Sequence, residues 1–127
     1  MANQEFEEQA TVVHYLRVKY PEVIFLSDLS GVWMPKLLAY KIARVKGTRG
    51  IPDLIIFEKR GGCSGLCIEL KSSSTTIYKK DGSLRKNEHV EEQLHVLEKL
   101  RKQGYLAELC IGAQQAIELI DTYMSSK

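Results

Sequence analysis

With 127 residues, the chain fits one domain built around one modest core. A composition of 44% hydrophobic and 27% charged residues excludes global disorder, and no run approaches the roughly 20 consecutive apolar residues of a membrane span. The net charge of +2 neither requires nor excludes a nucleic-acid partner, so where the charges lie matters more than their sum.

In chain order, residues 4–19 predict a helix. Val12, Val13 and Leu16 recur at helical spacing behind an acidic first turn, and Pro21 ends the run. The apolar run 23–26 predicts a short strand, and Ser30-Gly31-Val32-Trp33 a loop. Pro35 opens a second helix bearing Leu37, Leu38, Tyr40, Lys41, Ile42 and Val45, which Gly47 closes. Residues 53–59 and 66–71 flank a glycine-rich turn and predict a hairpin. Their near-continuous apolar character suits the centre of a sheet. Residues 72–86 form a long polar loop, a length usually reserved for function. An amphipathic helix follows over 88–103, with Val90, Leu94, Leu97 and Leu100 turned inward and Gly104 at its end. A strand at 105–111 and a helix at 113–124 complete an α/β layer architecture of a mixed β-sheet flanked by helices.

The three cysteines lack any zinc or redox spacing and read as free thiols, Cys67 and Cys110 in the core and Cys63 exposed in its turn. With the polar, acidic start Met1-Ala2-Asn3-Gln4-Glu5, which does not resemble a signal peptide, they lead us to expect a cytoplasmic protein with no membrane partner.

The chemistry concentrates in the hairpin. Asp53 follows Pro52 at the head of one strand, and Ile68-Glu69-Leu70-Lys71 ends the other. Side chains alternate across a strand, so Glu69 and Lys71 share a face. If the hairpin sets the start of one strand beside the end of the next, Asp53 joins them. Charges on buried strands cost several kcal/mol each unless compensated. A divalent cation with a substrate phosphate supplies that compensation, because Mg²⁺ takes carboxylate oxygens and completes its shell with water and phosphate. The plain alternative is a weak ion pair on a solvated edge, worth roughly 0–1 kcal/mol. The apolar neighbours on both strands disfavour it.

These residues resemble the PD-(D/E)xK nuclease superfamily, whose motif appears as Pro52-Asp53 and Glu69-Leu70-Lys71. Gly50-Ile51-Pro52-Asp53-Leu54, Ile68-Glu69-Leu70-Lys71 and Gln93 within His89-Val90-Glu91-Glu92-Gln93-Leu94 narrow the resemblance to the VRR-NUC family, the virus-type replication-repair nucleases, in its stand-alone form. The resemblance implies a restriction-endonuclease-like core over residues 1–127, and Mg²⁺ as cofactor, with Mn²⁺ able to substitute. It implies Asp53, Glu69 and the Leu70 backbone carbonyl as metal ligands, and Lys71 as the catalytic lysine. It further implies Gln93 as a positioning glutamine, and Glu8 as a first-helix glutamate acting on the metal through water, with Glu5 and Glu7 as rivals for that place. The long stretch between Lys71 and Gln93 departs from the family pattern.

Two basic groups bracket this site in sequence: Lys36, Lys41, Arg44, Lys46 and Arg49 before it, and Lys79, Lys80, Arg85 and Lys86 after it. Of these, Arg44, Lys46, Arg49, Lys79, Lys80, Arg85 and Lys86 are the candidate phosphate-backbone contacts. Trp33 and Tyr78 are candidates for stacking on unpaired bases, Trp33 equally for a core or dimer contact. His14, His89 and His95 show no metal spacing. The expectation is a divalent-metal-dependent DNA endonuclease; the family resemblance further implies branched, junction or flap DNA as substrate in replication or repair, and a homodimer whose two sites suit two-strand cutting. The rivals are a restriction-like or recombination nuclease on the same fold, a DNA-binding module that does not cut, and a structural subunit.

Overall fold

The computed structural model describes residues 4–29, 32–74, 78–83 and 85–127. Its elements run α1 (Gln4–Lys19), β1 (Phe25–Ser27), α2 (Lys36–Val45), β2 (Leu54–Ile56), β3 (Leu66–Lys71), α3 (Glu88–Lys102), β4 (Leu106–Ile111) and α4 (Ala113–Ser125). The strands form one mixed sheet in the order β1-β2-β3-β4. β1, β2 and β3 pair antiparallel, and β3 pairs parallel with β4 through α3.

Alternation of side chains gives each face of the sheet its own helical cover. Leu54, Ile56, Leu66, Ile68 and Leu70 pack against Val12 and Leu16 of α1 and Ala116 and Ile120 of α4. The opposite face carries Ile55, Cys67 and Ala107 against Leu97 of α3. Both central strands are buried throughout, as their apolar runs predict. α3 starts on an asparagine cap, Asn87 Oδ1 accepting from the amides of His89 and Val90, which fixes the helix that crosses the carboxylate-bearing face.

The expected elements appear in the expected order, with shifts at their ends. The first strand lies at Phe25–Ser27 rather than 23–26 because its pairing with β2 sets its register; Ile24 only passes its carbonyl to the Phe57 amide. The 53–59 strand shrinks to Leu54–Ile56, since the chain turns at the Arg60–Cys63 bridge. Pro35 is the N-cap of α2 rather than a helical residue. Cys67 and Cys110 are buried, whereas Cys63 is half-buried, tucked against the first core cluster. Trp33 is 83% exposed, so it is no core residue. The expected loop residues Ser30, Gly31, Thr75 and Thr76 lie outside the described residues.

Candidate active site

The β2–β3 register pairs Leu54 with Ile68, so the next step along the ladder sets Asp53 opposite Glu69. Paired antiparallel residues point to one face, and Lys71 follows on that same face. Here the face is covered by α3, from which Gln93 descends onto Glu69. Asp53, Lys71 and Gln93 are each 7% exposed and Glu69 only 1%.

Each member is held by another. Asp53 Oδ2 accepts from the Leu70 amide at 2.7 Å, tying the first strand's carboxylate to the second strand's backbone. Gln93 Nε2 donates to Glu69 Oε2 at 2.8 Å. Lys71 Nζ lies 3.6 Å from the same oxygen, close enough for charge attraction but long for a hydrogen bond. Glu69 Oε1 and Gln93 Oε1 are buried with no hydrogen-bond partner.

The electrostatics follow from that crowding. Burial, reinforced by the neighbouring Asp53 charge, pushes the Glu69 carboxyl up to about 9, with Lys71 opposing the rise. Burial likewise raises Asp53, against the pull of its hydrogen bonds with Glu69 and the Leu70 amide. Two carboxylates facing one another out of water cannot both ionise unaided. Their protons, or a cation in their stead, must balance the charge.

The donor set fits a divalent cation. Glu69 Oε1 is an orphaned carboxylate oxygen in a buried site, and Asp53 stands directly across from it. Among the described residues no three His, Cys, Asp or Glu side chains converge on a common point. The carboxylate oxygens here would suit a hard divalent cation that draws few ligands from the protein, and they lack the ligand set of a structural zinc.

The first-helix acids separate. Glu5 adds to the rise of both Asp53 and Glu69, so its charge reaches the pair. Glu8 instead accepts from the Ser73 amide at 2.8 Å through Oε2 and from the Ala113 amide at 3.2 Å through Oε1. Burial works to raise the Glu8 carboxyl, but these amide bonds together hold it below the ordinary glutamate value. Glu7 is exposed.

Sequence reading missed Asp28. Its amide donates to the Asp53 carbonyl at 2.7 Å, one step beyond the Ser27–Leu54 pair, so the strand pairing brings it beside Asp53. No local pattern marks it, because the edge-strand register depends on a distant partner. Asp28 lines a cleft of about 160 Å³ with Lys46, Arg49, His89, Glu92 and Gln93. Two of the expected phosphate contacts, Lys46 and Arg49, thus share a cleft with Gln93, and Arg49 lies 3.7 Å from Glu92. Arg44 stands over the Tyr40 ring instead. Lys79 and Lys80 belong to an exposed turn that Asp81 closes on Ser83, and Arg85 and Lys86 are exposed beyond it.

No family model and no curated protein matches the chain in sequence. Among solved structures, one named "VRR_NUC domain protein" is similar at a TM-score of 0.70 and 24% identity, covering 99% of this chain and 92% of that one. The likeness is one of fold, shared over nearly the whole length.

Proposed function

We infer that the chain is a divalent-metal-dependent DNA endonuclease that hydrolyses phosphodiester bonds in branched, junction or flap DNA during replication or repair. One observation carries the reading: Asp53 and Glu69 face each other in a buried site together with Lys71 and Gln93. The fold likeness to a protein whose name contains VRR_NUC supports it.

Asp53, Glu69 and the Leu70 carbonyl would hold Mg²⁺, or Mn²⁺ in its place. A cation there would supply Lewis acidity toward a phosphoryl oxygen and toward water, the two effects that hydrolysis of a diester needs. Lys71, with Nζ beside Glu69, would offset the negative charge that builds on the phosphoryl group. Gln93 fixes the orientation of Glu69, and its unpartnered Oε1 can accept a hydrogen bond from water or substrate. Among the rival acids of α1, Glu5 is the better candidate for supporting the metal's water shell, since both oxygens of Glu8 are engaged by the Ser73 and Ala113 amides.

Lys46 and Arg49 at the cleft, with Arg44, Lys79, Lys80, Arg85 and Lys86 on exposed surface, would track the phosphate backbone. A homodimer suits a reaction in which two strands are cut, and an exposed apolar surface on α2 and β1 supports it. A DNA-binding module that does not cut is the second reading.

The deciding assay offers duplex, single-stranded, flap and four-way-junction DNA with Mg²⁺ or Mn²⁺. Cleavage of the branched substrates ahead of plain duplex supports the proposal. Tight, EDTA-insensitive binding without cleavage of any substrate would favour the binding module.

A further inference from the structure

Glu8 stands where the parallel pair β3–β4 comes apart. The last ladder pair is Lys71 with Ile111, and the Gly112 amide still donates to the Lys71 carbonyl at 2.7 Å. Beyond that point one chain enters the polar segment at Ser72 and the other enters α4. Glu8 bridges the two branches, with one oxygen on the Ser73 amide and the other on the Ala113 amide. Gln4, one turn earlier on α1, adds a bond from Nε2 to Ser73 Oγ at 2.8 Å. Inside the fork, Ser72 is buried and its Oγ accepts from the Ser74 amide at 3.2 Å.

The fork is tightly packed. Gly112 has φ 89°, and a Cβ there would lie 3.2 Å from Ser73 Cβ and 3.3 Å from Glu8 Oε1. Gly112 is the N-cap of α4 and offers no side-chain acceptor. An anionic acceptor from another helix therefore takes over the capping task, at the end of α4 where the helix dipole favours negative charge.

We propose that Glu8 is a positioning residue: its carboxylate clamps the fork behind Lys71, which holds the Lys71 ammonium against Glu69 and anchors the root of the basic 72–86 segment. The catalytic part of this role rests on the nuclease reading above; the clamp itself does not. Lys71 and Ser73 are two residues apart, so loss of the Ser73 bond loosens the backbone that aims the ammonium.

Glu8→Gln tests it, because the shape stays while one amide then faces an NH₂ group. Hydrogen exchange of the Ser73 and Ala113 amides, Mn²⁺ binding by calorimetry, and cleavage kinetics per folded molecule are measured on the whole chain. The clamp predicts faster exchange at both amides, an unchanged Mn²⁺ dissociation constant, and a loss of about tenfold or more in kcat with KM retained. Gln4→Ala, at an exposed position, shows the same pattern more weakly and covers the case in which Glu8→Gln fails to fold. Weakened Mn²⁺ binding with normal exchange would make Glu8 a metal-site residue and overturn the proposal. So would normal exchange with normal kcat. If the wild-type protein cuts no DNA, the nuclease reading falls on its own, and the exchange and Mn²⁺ readouts still judge the clamp.

Discussion

Glu69 governs the acid–base behaviour of the folded state. Its carboxyl is raised from 4.5 to about 9, chiefly by burial and then by Asp53. The folded protein thus keeps a proton that the unfolded chain has released, so stability falls as pH rises between those values, by at most about 1.4 kcal/mol per pH unit. We predict a melting temperature of metal-free protein that declines from pH 5 to pH 9. Glu69→Gln removes most of that slope, and saturating Mg²⁺ or Mn²⁺ flattens it, since a cation displaces the proton. A flat profile in metal-free wild type would contradict the buried pair. Asp121 acts in the opposite sense and in another window. Hydrogen bonds from Tyr15 and Tyr20 lower its pKa, so its contribution is lost only as the solution turns acidic below the ordinary aspartate value. Gln93 is the other residue with a sharp expectation. Gln93→Leu keeps the volume but removes the donor to Glu69 Oε2, and activity or metal affinity should drop by roughly 10–100-fold. Rates measured across a Mg²⁺ titration separate those two losses.

The elements that position these residues carry their own weak points. Gly65 begins the approach to β3, and a Cβ there would lie 2.6 Å from the Ile56 carbonyl oxygen. Gly65→Ala must push β2 from β3 and should destabilise by on the order of 2 kcal/mol in denaturant titration. Asn87→Ala removes the cap of α3 and should cost about 1 kcal/mol, with Gln93 the residue most affected downstream. The long, periodic elements were legible in sequence: α1, α3, α4 and β3 carry unbroken apolar patterns whose bounds match within a residue or two. β1 was displaced because Val23 and Ile24 look like strand while pairing with β2 selects Phe25–Ser27. Asp53, Glu69 and Lys71 were legible because a hairpin fixes their register locally. Glu5 and Glu8 were not separable, since both share the face of α1 that ends in Val12 and Leu16, and only the packing of α4 and Ser73 tells them apart.

At the scale of the molecule, α2 has no buried residue, although Leu38, Ile42 and Val45 recur on one side of it. It borders a groove of about 420 Å³ lined by Leu26, Leu29, Val32, Ile42 and Val45, and Ile24, just ahead of the edge strand β1, is exposed. Isolated helices this short are marginal in water, so a partner surface would stabilise α2. Trp and Tyr side chains each carry roughly 150–250 Å². Trp33, next in sequence to the groove residue Val32, is itself 83% exposed. An open apolar groove whose rim carries the exposed Leu26, Leu29 and Val45 suits a two-fold interface. Sedimentation should report a dimer that Trp33→Asp or Val45→Asp converts to monomer; a wild-type monomer at all concentrations would rule the interface out. The central claim is that the buried cluster of Asp53, Glu69, Lys71 and Gln93 hydrolyses DNA. Its most direct test is single-turnover cleavage of a branched DNA substrate by wild type and Lys71→Ala, each with Mg²⁺ and with EDTA. The account predicts cutting only by wild type with Mg²⁺; equal cutting by Lys71→Ala, or cutting that survives EDTA, would contradict it.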